Sequence, residues 1–582
     1  DWEIACPNIS TGIKDERKYP GAYVVSPTKG LGRDHKIVKR KRVCLKNKQK
    51  YASTNMASSR QEEPVIDLGT VSPDSIDFDK SLLNNFEEKE SEIKKHAIIK
   101  AVNNYLTAGL SSLNDRVPKD EDDKNDRPLT GLDFSSLYPS LIMAYNLSPE
   151  KVVLNKKRME MLQNKGYQFL HVQFRYGLKD QEEHQKEFIE AWIVQHEHPA
   201  RALVQEEVAR AKSKANSSKT KEHWSKFVNK DLVKKAWSMY KKTTLDDWRE
   251  FQMGLYPFIL KDLYDRRSRI KKLMGRYAEP QEFLSNVYKV KKLSEFSKMT
   301  ILEQKQYITK QLNDEIKKRK AIYEKTGKGF HKWKLHVIEE ISEFFNETWT
   351  VSDSNNSQNK NTAEFAGMSL EQINEEINFK VSYYNTNQLA LKVYMNTFYG
   401  ETGNQLSPFF LIALAGGITS QGQYNTRMIK DFNIEEGFQV LYGDTDSLYI
   451  CPPEKYFNEL DKKYESGKIT KEKYWTRMIE ITMEVLDKFK DEVNDLLMLD
   501  NSTPFLKMAY EEVLWPFALT GKKKYIGIAH EGIVNLYPCM PECTLEEFMK
   551  SKLVFIRGLE IIKRGSSDFL KEICMSVFKE AF

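Results

Sequence analysis

Short runs of β-branched and aromatic residues alternate with long polar stretches, and the runs mark the candidate strands. Gly21-Ala-Tyr-Val-Val-Ser-Pro-Thr-Lys-Gly30 is closed by Pro and Gly, which predicts a strand and a turn. Thr130-Gly-Leu-Asp-Phe-Ser135 predicts a second strand. Residues 438–442 and 447–451 flank Gly443-Asp-Thr-Asp446 in a hairpin pattern, and more strands are expected across 505–528. Apolar positions recur at helical spacing over 255–273, 385–399 and 470–498. Residues 151–250 mix short strands with a Lys- and Glu-rich helical stretch from about 200 to 242.

Two intervals break this order. Residues 51–128 are polar, poorly periodic and end in Lys119-Asp-Glu-Asp-Asp-Lys-Asn-Asp126. They predict an insertion, partly disordered, with one helical segment near 90–110. Residues 275–380 are charged and include Ser352-Asp-Ser-Asn-Asn-Ser-Gln-Asn-Lys-Asn361, which predicts a loop. The basic run His35-Lys-Ile-Val-Lys-Arg-Lys-Arg42 reads as a solvated loop before it reads as a nuclear localisation signal or a DNA contact.

Composition narrows the class. At 582 residues the chain calls for two to four subdomains, and a hydrophobic share of 40% with 12% aromatics suits a large buried interior. A net charge of +7 permits a nucleic-acid partner without demanding one. Cys6, Cys44, Cys451, Cys539, Cys543 and Cys574 are sparse and irregular, as in a reduced intracellular protein. No stretch approaches the roughly 18 apolar residues of a membrane span, so no membrane partner is expected. The first residues do not form a signal peptide. The chain starts without Met and stops inside a helix-like pattern, as a piece of something longer would.

The chemistry gathers on acids. Asp444 and Asp446 lie two apart at a Gly-containing turn, where a strand's alternation would send both side chains to one side. Asp133 ends another apolar strand. Carboxylates are hard ligands for Mg²⁺, and three of them meeting in one sheet could hold two ions about 3.5–4 Å apart for in-line phosphoryl transfer. Taken alone, each acid is equally an Asp-rich turn or a strand-end cap.

Four segments together carry a resemblance. Asp133-Phe-Ser-Ser-Leu-Tyr-Pro-Ser140, Lys392-Val-Tyr-Met-Asn-Thr-Phe-Tyr-Gly400 (preceded by Gln388-Leu-Ala-Leu391) and Tyr442-Gly-Asp-Thr-Asp-Ser447 resemble motifs A, B and C of the family B DNA polymerases. Lys522-Lys-Lys-Tyr525 resembles their Lys-Lys-Arg-Tyr motif, with Lys524 in place of Arg. The Tyr19-Pro-Gly-Ala-Tyr23 run and the inserted segments resemble polymerases of large DNA viruses.

The resemblance implies a role for each matching residue. Asp133 and Asp446 would hold two Mg²⁺ ions, with Phe134 in the metal set and Asp444 farther out. Main-chain N–H groups of Ser136, Leu137 and Tyr138 would face the triphosphate, and Tyr138 would exclude a 2′-hydroxyl. Arg267 and Lys271, or Arg266 and Lys272 one residue away, would join Lys392 and Asn396 on the nucleotide. Tyr399, Gly400, Lys522, Lys523, Lys524 and Tyr525 would contact DNA. Arg557-Gly-Leu-Glu560 and Lys563-Arg564 resemble the family's palm-to-thumb segment, although Gly565 replaces the usual Asp.

The implied fold is α+β, a right hand with an antiparallel-sheet palm, helical fingers and a partial thumb. Its expected divisions are a pre-palm segment with a polar insertion (1–128), palm (129–250), fingers (251–402), palm again (403–545) and thumb (546–582). The implied activity is DNA-directed DNA synthesis on primer-template DNA with dNTPs, in a nucleus or a viral replication site. A sliding clamp or other processivity factor is the implied partner. Asp1-Trp-Glu3 has the form of a proofreading exonuclease motif but lacks the domain around it, so this chain is not expected to proofread. Two other readings stay in view. A silent scaffold relative is disfavoured by the intact acids. An RNA-templated polymerase is disfavoured because Gly443-Asp-Thr-Asp446 stands where reverse transcriptases usually show two adjacent Asp after an aromatic pair. Protein priming stays open, because it typically comes with extra insertions and this chain has insertions.

Overall fold

The computed structural model describes residues 18–26, 30–31, 127–178, 182–217, 222–291, 293–326, 329–349, 364–530, 534–540, 542–563 and 565–581. The basic run at 35–42, the helix expected near 90–110 and the tract 352–361 lie outside them. The chain divides into two compact units: Asp1–Pro20, Tyr138–Thr419 and Ser502–Phe505 in the first, Gly21–Leu137, Ser420–Asn501 and Leu506–Phe582 in the second.

Eleven strands occur among the described residues: β1 (Val24–Val25), β2 (Gly30–Leu31), β3 (Leu129–Phe134), β4 (Val152–Val153), β5 (Phe169–Tyr176), β6 (Glu187–Val194), β7 (Gln439–Asp444), β8 (Ser447–Cys451), β9 (Met508–Gly521), β10 (Lys524–His530) and β11 (Val554–Arg557). The second unit is built on an antiparallel sheet in the order β1-β7-β8-β3-β9-β10-β11, with β2 also pairing with β9. Central β3 is buried at every position except Asp133, which is partly exposed at its C-terminal end. β9 serves two cores, and a bulge between Leu514 and Phe517, which pair with Ala529 and Gly527, switches the face its odd-numbered residues present. Val513 and Trp515 pack with Tyr474, Met478 and Ile479 of the helix Lys471–Asn501, whereas Leu514, Phe517 and Leu519 pack with Tyr442, Tyr449 and Tyr525.

The entry to β3 is anchored by a buried cation. Arg127 is 2% exposed and donates to both oxygens of Asp461 (3.2 and 2.6 Å), to Glu454 (3.0 and 2.6 Å) and to the Tyr474 hydroxyl (3.1 Å). Its guanidinium also lies 4.2 Å from the Phe457 ring centroid. A charge removed from water is tolerated only with such partners.

The first unit pairs a small sheet, in the order β4-β6-β5, with long helices. Leu255–Val290 and Leu370–Gly403 run antiparallel, because their contacts pair early residues with late ones: Tyr256 with Phe398, Arg267 with Gln388, Gln281 with Asn378, and Tyr288 with Leu370. Ser369 and Gln372 form a capping box that starts the second helix. The first helix starts at Gly254, which has no side chain to cap it. Ser148 Oγ (3.0 Å) and Glu150 Oε1 (2.7 Å) accept from Tyr256 and Leu255 N–H instead. A Cβ at Gly254 would lie 2.6 Å from that of Ser148, so glycine makes room for the cap.

This half departs from the sequence reading. The helix expected over 255–273 continues to Val290, with Pro280 inside it. The interval 275–380, expected as a charged insertion with loop, contributes two further helices, Ile301–Thr326 and Gly329–Thr348. Their apolar residues, among them Ile308, Leu312, Ile338, Ile341 and Phe345, close around Tyr277, Leu284, Ile373 and Ile377 of the long pair. The stretch expected as one helical region at 200–242 is two helices, Pro199–Ser217 and Lys230–Lys242.

Candidate functional site

In the second unit, β7 and β8 are joined by Thr445 and Asp446, with Asp444 paired to Ser447. Thr445 lies at φ 57, and the N–H of Asp446 closes on the carbonyl of Asp444 at 2.6 Å. Strand alternation therefore does not carry through the turn, although both acids line one cleft. Asp444 ends a strand and Asp446 belongs to the turn.

Their surroundings differ accordingly. Asp444 is 8% exposed, and its carboxylate accepts from the Tyr442 hydroxyl (2.8 Å) and the Thr445 hydroxyl (2.9 Å), with Lys523 Nζ 3.5 Å away. Tyr442 in turn accepts the N–H of Lys523 at 2.8 Å. The main-chain carbonyl of Asp446 accepts the N–H of Phe134 at 2.8 Å, and Asp133 pairs in register with Ser447. One hydrogen bond thus ties the turn to the end of β3, immediately beside Asp133.

A cleft of about 320 Å³ opens here, lined by Asp444, Asp446, Lys523, Tyr525, Arg557 and Gly558 among others. Glu511 stands close by: burial pushes its carboxyl up, the negative charges of Glu512 and Asp446 add to this, and Arg557 opposes it. Lys522, Lys523 and Lys524 are exposed around the β9–β10 turn, where Lys523 adopts φ 58. Tyr525 is buried beneath them, and its hydroxyl meets that of Tyr449. Gly558 sits at φ 63 against the Lys523 carbonyl, which any Cβ would overlap.

Among the described residues no three His, Cys, Asp or Glu side chains converge as a ready-made metal cage. Magnesium does not need one, since it is commonly held by one or two carboxylates plus substrate phosphates. Both Asp444 oxygens already have protein donors in the Tyr442 and Thr445 hydroxyls.

The turn after β3 places Ser136 at φ 61, and the helix Leu137–Ala144 begins directly behind it. Within the first unit, the rings of Tyr138 and Tyr399 stack at 4.2 Å and 24°.

On the helical hairpin, Lys392 and Asn396 are both exposed and one turn apart. Arg267 donates to Gln388 Oε1 at 3.2 and 3.1 Å. The Lys271 ammonium is pushed down by burial and then by the positive charges of Arg267 and Lys392, so these three cations face one another. Arg266 instead pairs with Asp262 at 2.7 Å, so Arg267 and Lys271 are the register that faces the second helix. A Cβ at Gly400 would meet no protein atom within 4 Å, so internal packing does not demand glycine there.

Several contributors had no role in the sequence reading. Gln388, one turn before Lys392, holds Arg267. Tyr19 reaches Tyr399, and the Tyr-Pro-Gly-Ala-Tyr run was its only local signal. Glu511 and Gly558 carry no local signal, because each matters through a strand or turn distant in sequence.

An antiparallel sheet in one unit and long packed helices in the other make this an α+β protein. The chain belongs to DNA polymerase family B, whose family model matches residues 82–294 and 368–582. It is 31% identical over 461 residues to DNA polymerase beta of African swine fever virus (isolate Tick/Malawi/Lil 20-1/1983), covering 79% of this chain and 26% of that relative. It is similar to the DNA polymerase of Pyramimonas orientalis virus, at 31% over 151 residues covering 26% of this chain and 11% of that one. It is also similar to DNA polymerase II of Escherichia coli (strain K12), at 28% over 195 residues covering 33% of this chain and 22% of that one. The chain spans about a quarter of the length of the African swine fever virus relatives. Large DNA viruses are thus among its relatives, in line with the resemblance seen in the insertions.

Proposed function

We propose that this chain is the nucleotidyl-transferring portion of a DNA-directed DNA polymerase that extends a primer 3′-OH with dNTPs on a DNA template. The observation that carries the proposal is the Phe134 N–H to Asp446 carbonyl bond at 2.8 Å, which sets the acid-bearing end of β3 beside the acid-bearing turn. Two Mg²⁺ ions bound through Asp133 and Asp446, with Phe134 alongside, would supply the positive charge that activates the 3′-OH and steadies pyrophosphate.

The chain's own groups do the rest. Asp444 is held by Tyr442 and Thr445 and orients the turn. Arg267, Lys271, Lys392 and Asn396, with the N–H groups of Ser136, Leu137 and Tyr138, bind and orient the triphosphate. Tyr138 backs the sugar and rejects a 2′-hydroxyl. Tyr399 and Gly400 face the nascent base pair. Lys522, Lys523 and Lys524 grip the DNA backbone above Tyr525, a contact that carries no sequence information.

In this reading the antiparallel sheet is a palm, the hairpin of Leu255–Val290 and Leu370–Gly403 belongs to the fingers, and the thumb starts after 545. A mismatched primer end offered to this chain alone is not excised.

Extension of a labelled DNA primer on a DNA template with Mg²⁺ and dNTPs tests the proposal, with Asp446→Asn as the comparison. Extension by the parent only supports it. Equal extension by both removes Asp446 from the metal set, and DNA binding without extension by the parent refutes synthesis by this chain.

A further inference from the structure

Tyr399 stacks on Tyr138, and the other end of Tyr399 is also held. Its hydroxyl lies 3.3 Å from that of Tyr19, a residue 380 positions away in sequence. Tyr19 is itself fixed on three sides. Lys18 and Gly177 exchange main-chain hydrogen bonds at 2.7 and 3.2 Å, which docks the segment beside β5. The Tyr19 ring meets Phe174 of β5 edge-on, with centroids 6.4 Å apart at 66°. Its hydroxyl fills the space over Gly403, where a Cβ would lie 2.6 Å away. Phe174 in turn occupies the place of a side chain at Gly416, where any Cβ would overlap the ring. Tyr138, Tyr399, Tyr19 and Phe174 thus form a continuous aromatic series that ends on a glycine-floored helix. Burial pushes the Tyr399 hydroxyl up, and its bond to Tyr19 adds to this, so Tyr399 stays neutral at working pH.

We propose that Tyr19 is a positioning residue for sugar selection, holding Tyr399 against Tyr138 through its hydroxyl. The proposal rests on the polymerase reading above, in which Tyr138 excludes the 2′-hydroxyl. Tyr19 touches neither nucleotide nor metal in this scheme. It limits the recoil of Tyr399, and so of the Tyr138 ring, when a ribose presses on it.

The test is single-nucleotide insertion by the chain and its Tyr19→Phe, Tyr399→Phe and doubly substituted variants, comparing kcat/KM for a dNTP and the matching rNTP. Tyr19→Phe keeps the ring and its contact with Phe174, so equal thermal melting is the folding control. The expected result is an about two- to tenfold loss of dNTP-over-rNTP preference, the range of one ordinary hydrogen bond. The loss should appear as a lower KM for the rNTP, with primer-template affinity unchanged. The double variant should be no less selective than Tyr399→Phe alone. A selective parent with an equally selective Tyr19→Phe, or losses that multiply in the double variant, overturns the role of Tyr19 alone. A parent that extends no primer, or does not prefer dNTPs, overturns the polymerase or sugar-gate reading and takes this proposal with it.

Discussion

Replacing Arg127 with Met tests the link between the buried ion cluster and the placement of Asp133. The substitution keeps much of the side-chain volume but removes the guanidinium that serves Asp461, Glu454 and Tyr474. Glu454 is 59% exposed in its side chain, so losing that partner costs it about 1 kcal/mol at most. Asp461 is different. Its side chain is 7% exposed, and the Tyr474 hydroxyl at 2.9 Å would still donate to it without supplying a counter-charge. Leaving a buried carboxylate without its counter-charge costs about 3–5 kcal/mol.

Because the chain divides into two units, the loss should be followed locally as well as globally. Denaturant unfolding can be read by tryptophan fluorescence, to which Trp475 and Trp515 of this unit contribute with ring centroids 5.0 Å apart. Hydrogen exchange of the β3 amides should accelerate in parallel, since Arg127 lies two residues before that strand. Substituting both Arg127→Met and Asp461→Leu should recover more than half of the lost stability, because it removes the stranded charge. A single-variant loss below about 1 kcal/mol, or a double variant in which the losses add, would refute the reasoning.

Three further outcomes follow from the same geometry. Tyr442→Phe removes the hydroxyl that links Lys523 N–H to Asp444, a charge-assisted bond of about 1.5–3 kcal/mol, and single-turnover extension should slow by roughly tenfold or more; an unchanged rate would mean that Asp444 needs no such orientation. Gly558→Ala combines a left-handed backbone at φ 63 with overlap on the Lys523 carbonyl, so a loss above about 2 kcal/mol is expected from thermal unfolding, and an undiminished midpoint would show that the turn relaxes freely. Buried His530, which accepts the Asn535 N–H on Nδ1 and bonds the Trp515 carbonyl through Nε2 at 2.7 Å, has its pKa pushed down by burial to about 4. Between pH 6.5 and 4 the unfolded chain binds a proton that the folded chain refuses, so stability is full above pH 6.5 and falls by about 3 kcal/mol as pH drops to 4. A His530→Gln variant should flatten that slope in denaturation series, and an identical slope in both proteins would exclude His530 as its source.

By itself the sequence determined the elements whose cause is local. Strand β3, the β7–β8 hairpin and the shared face of Lys392 and Asn396 were legible because β-branched runs, a Gly-Asp turn and a four-residue spacing act within a few positions. The helices Ile301–Thr326 and Gly329–Thr348 were not legible. Their apolar stripes are narrow among charged residues and acquire meaning only when they close on Tyr277, Leu284 and Ile377. Choosing Arg267 over Arg266 required Gln388 from another helix. The turn at Thr445 interrupts strand alternation, because its left-handed backbone is not a strand conformation. Tyr19 over Gly403, Gly558 under Lys523 and Arg127 on Asp461 all join residues distant in sequence. Such contacts depend on how packed elements meet in space, which no short-range preference of the chain encodes, and only the tertiary structure decided them.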